Sequence, residues 1–145
     1  MRIIKFRGKK KQTGEWLYGD LMNDNIGGSY IYPIDAENLY KENAVIPDTV
    51  GQFSGLKTKA TPLKREQEEI FEDDILRVPQ TVFHIEYIGR VVFEYGRFLV
   101  RSLFSGTKWD LLNAIDDGAE IIGNAHDNPE LLEKYMTIEI KQSER

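Results

Sequence analysis

The chain has 145 residues, 30% of them charged, a net charge of −5 and no cysteine. Without cysteine there are no disulfides, no thiolate catalysis and no cysteine-ligated zinc. The acidic balance argues against a general nucleic-acid binder, whose surface is usually basic. Apolar runs are only a few residues long, far short of the roughly 20 residues a membrane helix needs. No apolar stretch follows the basic start, so no signal peptide is expected. The composition fits a cytoplasmic protein with one domain over 1–145. The two signs are unevenly spread: residues 1–11 hold six basic residues and no acid, and 66–74 holds six acids in nine positions.

Short strands dominate the predicted elements. Ile3-Ile4-Lys5-Phe6-Arg7 is bounded by Gly8, and Glu15 to Leu21 pairs with it across the polar turn Lys9–Gly14. Gly27-Gly28 turns the chain into Ser29-Tyr30-Ile31-Tyr32. Val45-Ile46-Pro47 and Val50-Gly51-Gln52-Phe53 are short extended pieces, Pro47 favouring an edge or a strand start. Lys57 to Gln67 reads as a long mobile loop, and Leu63 to Phe71 offers at most a turn or two of helix. Val82 to Ile88 alternates, which places Phe83, Ile85 and Tyr87 on one face, predicted to be buried. Arg90–Glu94 and Arg97–Arg101 form a hairpin about Tyr95-Gly96.

Helix is scarce. Trp109 to Ile115 makes one short helix ended by Asp117-Gly118, and Pro129 to Met136 makes the second. The second start is well specified. Asn128 is a good N-cap whose side-chain oxygen can accept from a backbone amide one turn later. Pro129 suits the first helical position, and Glu130 sits against the positive end of the helix dipole. Thr137–Lys141 alternates as a last strand before a frayed 142–145 tail. The expected fold is mainly β, a small barrel or bent antiparallel sheets with a short C-terminal helix. Trp16, Ile31, Val50, Phe53, Ile75, Phe83, Ile85, Val92, Phe98, Val100, Ile121, Leu131 and Leu132 are expected to supply much of the core.

Four blocks resemble the YopX family, found mostly in phages and prophages. They are Ile4–Gly8 leading to Gly14–Gly19, Val45–Lys57 with Gly51 and Gly55, Ile70–Leu76, and Gly123–Leu132 with Gly123, Asn124, Asn128 and Pro129. Asp73 stands where the family usually has Gly, and a turn needing φ > 0 there suits Asp less well. The short turn usual before it is replaced by Lys57–Pro62 and an acidic extension. The resemblance implies a β-rich fold and a mobile-element context, and supplies no activity, so no catalytic residue is carried over.

Candidate chemistry is sparse. The acids Glu66, Glu68, Glu69, Glu72, Asp73 and Asp74 offer oxygen ligands for a hard cation, but lack calcium-loop spacing and read better as a solvated loop. His126 and Asp127 are a base and a carboxylate, yet neighbours rarely face each other, so a hydrolase would need Asp73 or Asp74 beside His126. His84 reads as an exposed strand residue or a satisfied polar one. Gly27-Gly28 lacks the Lys-Ser/Thr of a phosphate loop. Lys5, Arg7, Lys9, Lys10 and Lys11 with Trp16 can hold a phosphate backbone and stack bases, although the bland alternative is a solvated turn and a core Trp. No catalytic, cofactor or metal site is assigned. The leading expectation is a non-enzymatic accessory protein acting through protein contacts, self-association first, because short strands leave pairable edges and Tyr18, Tyr30, Tyr32 and Tyr40 are of the kind enriched at interfaces. A nucleic-acid-binding barrel built on the basic hairpin is the alternative.

Overall fold

The computed structural model describes residues 1–33 and 41–135. The predictions for Tyr40, for strand 137–141 and for the tail lie outside the described residues. The chain divides into two compact units, Met1–Gly55 and Leu56–Arg145. Each is built from antiparallel strands, so the mainly β reading holds.

In the first unit β1 (Phe6–Lys9), β2 (Trp16–Asn23), β3 (Ser29–Tyr32) and β4 (Ala44–Val45) pair in chain order. The β1–β2 register sets Lys9 opposite Trp16 and Phe6 opposite Gly19. β4 then returns to the end of β1: Val45 bridges Lys10, and the Ile46 amide donates to the Lys9 carbonyl at 2.8 Å. The four strands thus curl into a half-barrel over Ile31 and Val45, both fully buried. Gly8 suits this close approach, because a Cβ there would lie 3.1 Å from the Val45 side chain, which would have to give way by a few tenths of an ångström. β5 (Gly51–Lys57) pairs with the other edge of β1.

The second unit begins within β5. The Thr58 amide donates to the Glu68 carbonyl (2.8 Å), and the Glu68 amide to Thr58 Oγ1 (2.9 Å), which closes the 58–68 loop at its base. Glu69–Phe71, the end of the segment read as at most a turn or two of helix, is strand β6, with Ile70 and Phe71 buried. β7 (Asp74–Val78), β8 (Tyr87–Glu94), β9 (Arg97–Ser102), β10 (Lys108–Asp110) and β11 (Glu120–Asn124) form one sheet in the order β10-β9-β8-β7-β11. Tyr95 and Gly96 both have positive φ and join β8 to β9 with Glu94 opposite Arg97, the two-residue turn whose twist matches a hairpin.

The short helix α1 (Leu111–Asp116) lays Leu111, Ala114 and Ile115 on this sheet, in a core shared with Ile70, Leu76, Val78, Val91 and Val100. Ile31, Phe53, Ile75 and Val100 are buried as expected, whereas Trp16, Val50, Val92, Phe98, Ile121, Leu131 and Leu132 are half-buried. Phe83 and Ile85 are corrections: both are exposed, at 88% and 74%. Val78 ends β7 at Pro79, which has no amide to continue the ladder, and β8 starts only at Tyr87. The alternation from Val82 to Glu86 therefore falls outside any strand. Residues 129–135 are helical, as the Asn128-Pro129 signal indicated. Among the described residues no helix is long and apolar enough to cross a membrane.

Candidate interaction site

The segment between β7 and β8 folds into a tight turn. The Thr81 amide donates to the His84 carbonyl at 2.9 Å, and Thr81 Oγ1 accepts from the Phe83 amide at 3.1 Å. This turn points Val82 and Phe83 to solvent and His84 inward. Val82 is 93% exposed, and with Phe83 and Ile85 it makes a ridge of three large apolar side chains. Single exposed apolar residues are ordinary, whereas three within four residues, with Ile85 also lining the pocket described below, form a candidate interaction surface.

His84 fixes the base of that ridge. Its Nε2 lies 3.0 Å from Asp117 Oδ2 and its Nδ1 lies 2.9 Å from the Ile85 carbonyl. Both partners are acceptors, so the protonated ring, with two donors, satisfies both contacts at once. The Asp117 hydrogen bond, then that to the Ile85 carbonyl, raises the His84 pKa above its ordinary value, against the opposing effect of burial. Asp117 caps the C-terminal end of α1, where a lone carboxylate would be disfavoured by the helix dipole and a cation is favoured. The imidazole ring also sits 5.0 Å from Trp109 and 5.2 Å from Tyr87, and those two rings stack at 5.7 Å. Burial raises the Tyr87 phenol well above its usual value.

Beside the ridge these rings wall a half-open pocket of about 750 Å³, whose lining includes His84, Tyr87, Phe104, Thr107 and Trp109. That volume falls within the range of small-ligand and side-chain pockets, which are mostly apolar with a few placed polar groups. Arg77 and Glu86 also line it, 3.8 Å apart and both about half-exposed. Arg77 additionally reaches Glu120 at 2.7 Å.

The sequence-predicted basic site is assembled differently from its expected use. Lys5, Arg7 and Lys9 share one side of β1, where the Arg7 guanidinium and Lys9 ammonium lie 4.7 and 5.5 Å from the centre of the Trp16 ring. Lys5 lies 5.0 Å from the Phe53 ring centre. Trp16 is thus engaged by cations of its own sheet. Lys10 and Lys11 lie past the end of β1, at the start of the turn to β2.

The acidic run is dispersed. Glu68 pairs with Lys64. Asp74 is buried and accepts from the Phe71 amide at 2.8 Å. Among the described residues no group of three or more His, Asp or Glu side chains is placed to hold a metal. Asp73, at φ 70°, accepts from Arg90 Nη2 at 2.8 Å and from His126 Nε2 at 2.9 Å. The structure therefore brings His126 to Asp73, 53 residues away, while Asp127 bonds the Asn124 amide group at 3.0 Å instead.

The loop that carries His126 is shaped by its own polar groups. Asn124 Oδ1 accepts from the His126 and Asp127 amides at 3.0 and 2.9 Å. Asn128 Oδ1 accepts from the Asn124 amide at 3.1 Å, so this side chain faces back into the loop rather than forward as the expected helix cap. Gly123 makes room for it, since a Cβ there would lie 2.5 Å from Asn128 Oδ1. Gly51 is buried in β5, and Gly55 has φ 82° in the same strand. The ridge and pocket were missed because their members belong to β7, the turn after it, β8, the β9–β10 segment and the C-terminal helix. The one usable signal was Pro79, which should have halted the strand pattern.

A half-barrel sheet and a five-stranded antiparallel sheet define a mainly β protein of two units, with an aromatic pocket in the second. The chain belongs to the YopX family: the family model described as YopX protein matches residues 5–133. It is similar to the crystal structure of protein EF1440 from Enterococcus faecalis, at 25% sequence identity and a TM-score of 0.50, over 91% of this chain and 99% of that one. Among curated proteins, none matches the chain.

Proposed function

We propose that this chain is a cytoplasmic accessory protein of the phage and prophage type, and that it acts by binding another protein rather than by catalysis. The observation that carries this reading is the exposed ridge Val82, Phe83 and Ile85 beside the pocket walled by Tyr87 and Trp109. Covering each ridge side chain is favourable by about 1.5–3 kcal/mol, a strong reason for the ridge to be covered in use. Strand addition at a sheet edge is the weaker mode here. β10 is three residues long, and β11 carries a register break between Ile121 and Gly123; contrary to the expectation from the sequence, such short and bulged edges resist pairing.

The test is photo-crosslinking in cells, with p-benzoylphenylalanine replacing Phe83 and, as an exposed control, Lys59. The expected result is a discrete adduct from position 83 and none from position 59. The absence of any adduct from position 83 would overturn the reading. Nucleic-acid binding is less well supported, because Trp16 already has Arg7 and Lys9 against its ring.

A further inference from the structure

We infer that the segment between β7 and β8 is a proton-operated clasp: a charged His84 ring locks it against the wall of the aromatic pocket, and a neutral ring lets it go. The clasp works whatever the ridge binds. From Pro79 to Glu86 only Thr81 and His84 are not exposed, so little apolar burial holds the segment down. The bonds of the Thr81 amide to the His84 carbonyl and of the Phe83 amide to Thr81 Oγ1 are local to the turn. The tie to the sheet and to α1 is the His84 side chain, which is 8% exposed. At the far end Glu86 adds a half-exposed contact to Arg77 at 3.8 Å.

The ring's two nitrogens both face acceptors, Asp117 Oδ2 at 3.0 Å and the Ile85 carbonyl at 2.9 Å. A neutral imidazole has one N–H and one lone pair. The bond to a carboxylate is the stronger of the two, so the neutral ring keeps Asp117 and turns its lone pair on the Ile85 carbonyl. Two lone pairs repel at that distance, so the Ile85 peptide swings away and the turn moves with it. Proton loss also ends the attraction between unlike charges at Asp117. The other groups against the ring are Tyr87 from β8 and Trp109 from β10; burial raises the Tyr87 phenol, so it stays neutral while His84 titrates. Arg77 and Glu86, which line the same pocket, are paired with each other, and Arg77 also with Glu120 at 2.7 Å. The clasp is therefore closed at pH 6.5 and opens above it, since the bonds to Asp117 and Ile85 raise the His84 pKa from that ordinary value.

Chymotrypsin tests this on the full chain, because it cuts after aromatic residues and needs a segment free enough to enter its cleft. Cleavage after Phe83 is followed by mass spectrometry from about pH 6 to about pH 9, and its rate is divided by that of a free peptide of residues 79–88. The normalised rate is expected to rise at least about 10-fold, the scale of losing one hydrogen bond to a charged group. The rise should share its midpoint with the His84 ring titration measured by NMR. His84→Gln has no such proton to lose and is expected to be cut at one fast normalised rate throughout. Phe71, 2% exposed in β6, reports global unfolding and is expected to show no step. A wild-type rate that is flat across the His84 midpoint overturns the inference without recourse to any variant. A step that persists in His84→Gln, or one that appears equally at Phe71, overturns it as well.

Discussion

His84 and Asp117 are joined at 3.0 Å, and the link ties the turn beneath the ridge to the end of α1. The folded His84 pKa lies above 6.5, its ordinary value, chiefly through that bond. A raised pKa means the folded state holds the proton more tightly than the unfolded chain. The link thus contributes fully below the unfolded value of about 6.5 and is lost as pH rises through the higher folded value.

The first prediction is that Asp117→Asn destabilises the protein by about 1–2 kcal/mol at pH 6 and by much less at pH 9. Urea unfolding of both proteins at the two pH values checks this. A His84 ring titration by NMR with its midpoint at or below 6.5 would contradict it, and Tyr87 and Trp109, the rings against His84, would then have to account for the shape of the pocket alone.

The second prediction concerns Gly123. An added methyl group collides with Asn128 Oδ1 and comes within 3.1 Å of Leu131 Cδ1. The Asn124 amide then loses its acceptor. Gly123→Ala is expected to cost about 2 kcal/mol, and adding Asn128→Ala should cost little more, because both changes remove the same bond. Additive losses in chemical denaturation would show that the loop does not hinge on this contact.

Asp73 supports a comparison of substitutions. Its φ of 70° costs any residue with a Cβ about 1–2 kcal/mol, while its carboxylate holds Arg90 and His126. Asp73→Ala keeps the strain and drops the bonds. Asp73→Gly drops the bonds and relieves the strain. Both are expected to destabilise, with Gly the milder by about 1 kcal/mol. Equal losses in a thermal or urea series would mean that the backbone there is not strained.

These two loops mark where local reading of the sequence reaches its limit. The Tyr95-Gly96 hairpin is legible because the turn chemistry and the flanking alternation lie within a dozen residues and agree. The closure of β4 on β1 is not, since Gly8 makes room for a valine 37 positions later. The turn at Asp73 is readable as needing positive φ, but nothing near it names Arg90 or His126 as the groups that hold an Asp there. Asn128 shows a subtler miss. Its residue type and its place before Pro129 indicate the helix start correctly, yet its side-chain oxygen serves the loop behind it, accepting from the Asn124 backbone amide at 3.1 Å. The ridge was misread for a related reason. Alternation signals burial only while a ladder persists, and Pro79 ends the ladder before Val82.

The last prediction separates the protein-binding reading from the nucleic-acid alternative. Stacking on an aromatic side chain is worth about 1–3 kcal/mol per base, but it requires an available ring face. At Trp16 the guanidinium of Arg7 and the ammonium of Lys9 already lie against the ring, so a base stacking there competes with two cations of the chain itself. The net charge of −5 adds a general repulsion. What remains for an oligonucleotide is the charge of the Lys9–Lys11 segment, an attraction that salt screens away. A short single-stranded oligothymidine is therefore expected to bind weakly at about 50 mM salt and not at about 200 mM, with Trp16 emission unchanged in a Trp109→Phe background. The triple variant Lys9→Glu, Lys10→Glu, Lys11→Glu is expected to abolish even the low-salt binding while leaving the crosslinked adduct at position 83 as in wild type. Quenching of Trp16 together with binding that persists at the higher salt would reverse the order of the two readings and make the half-barrel the functional unit.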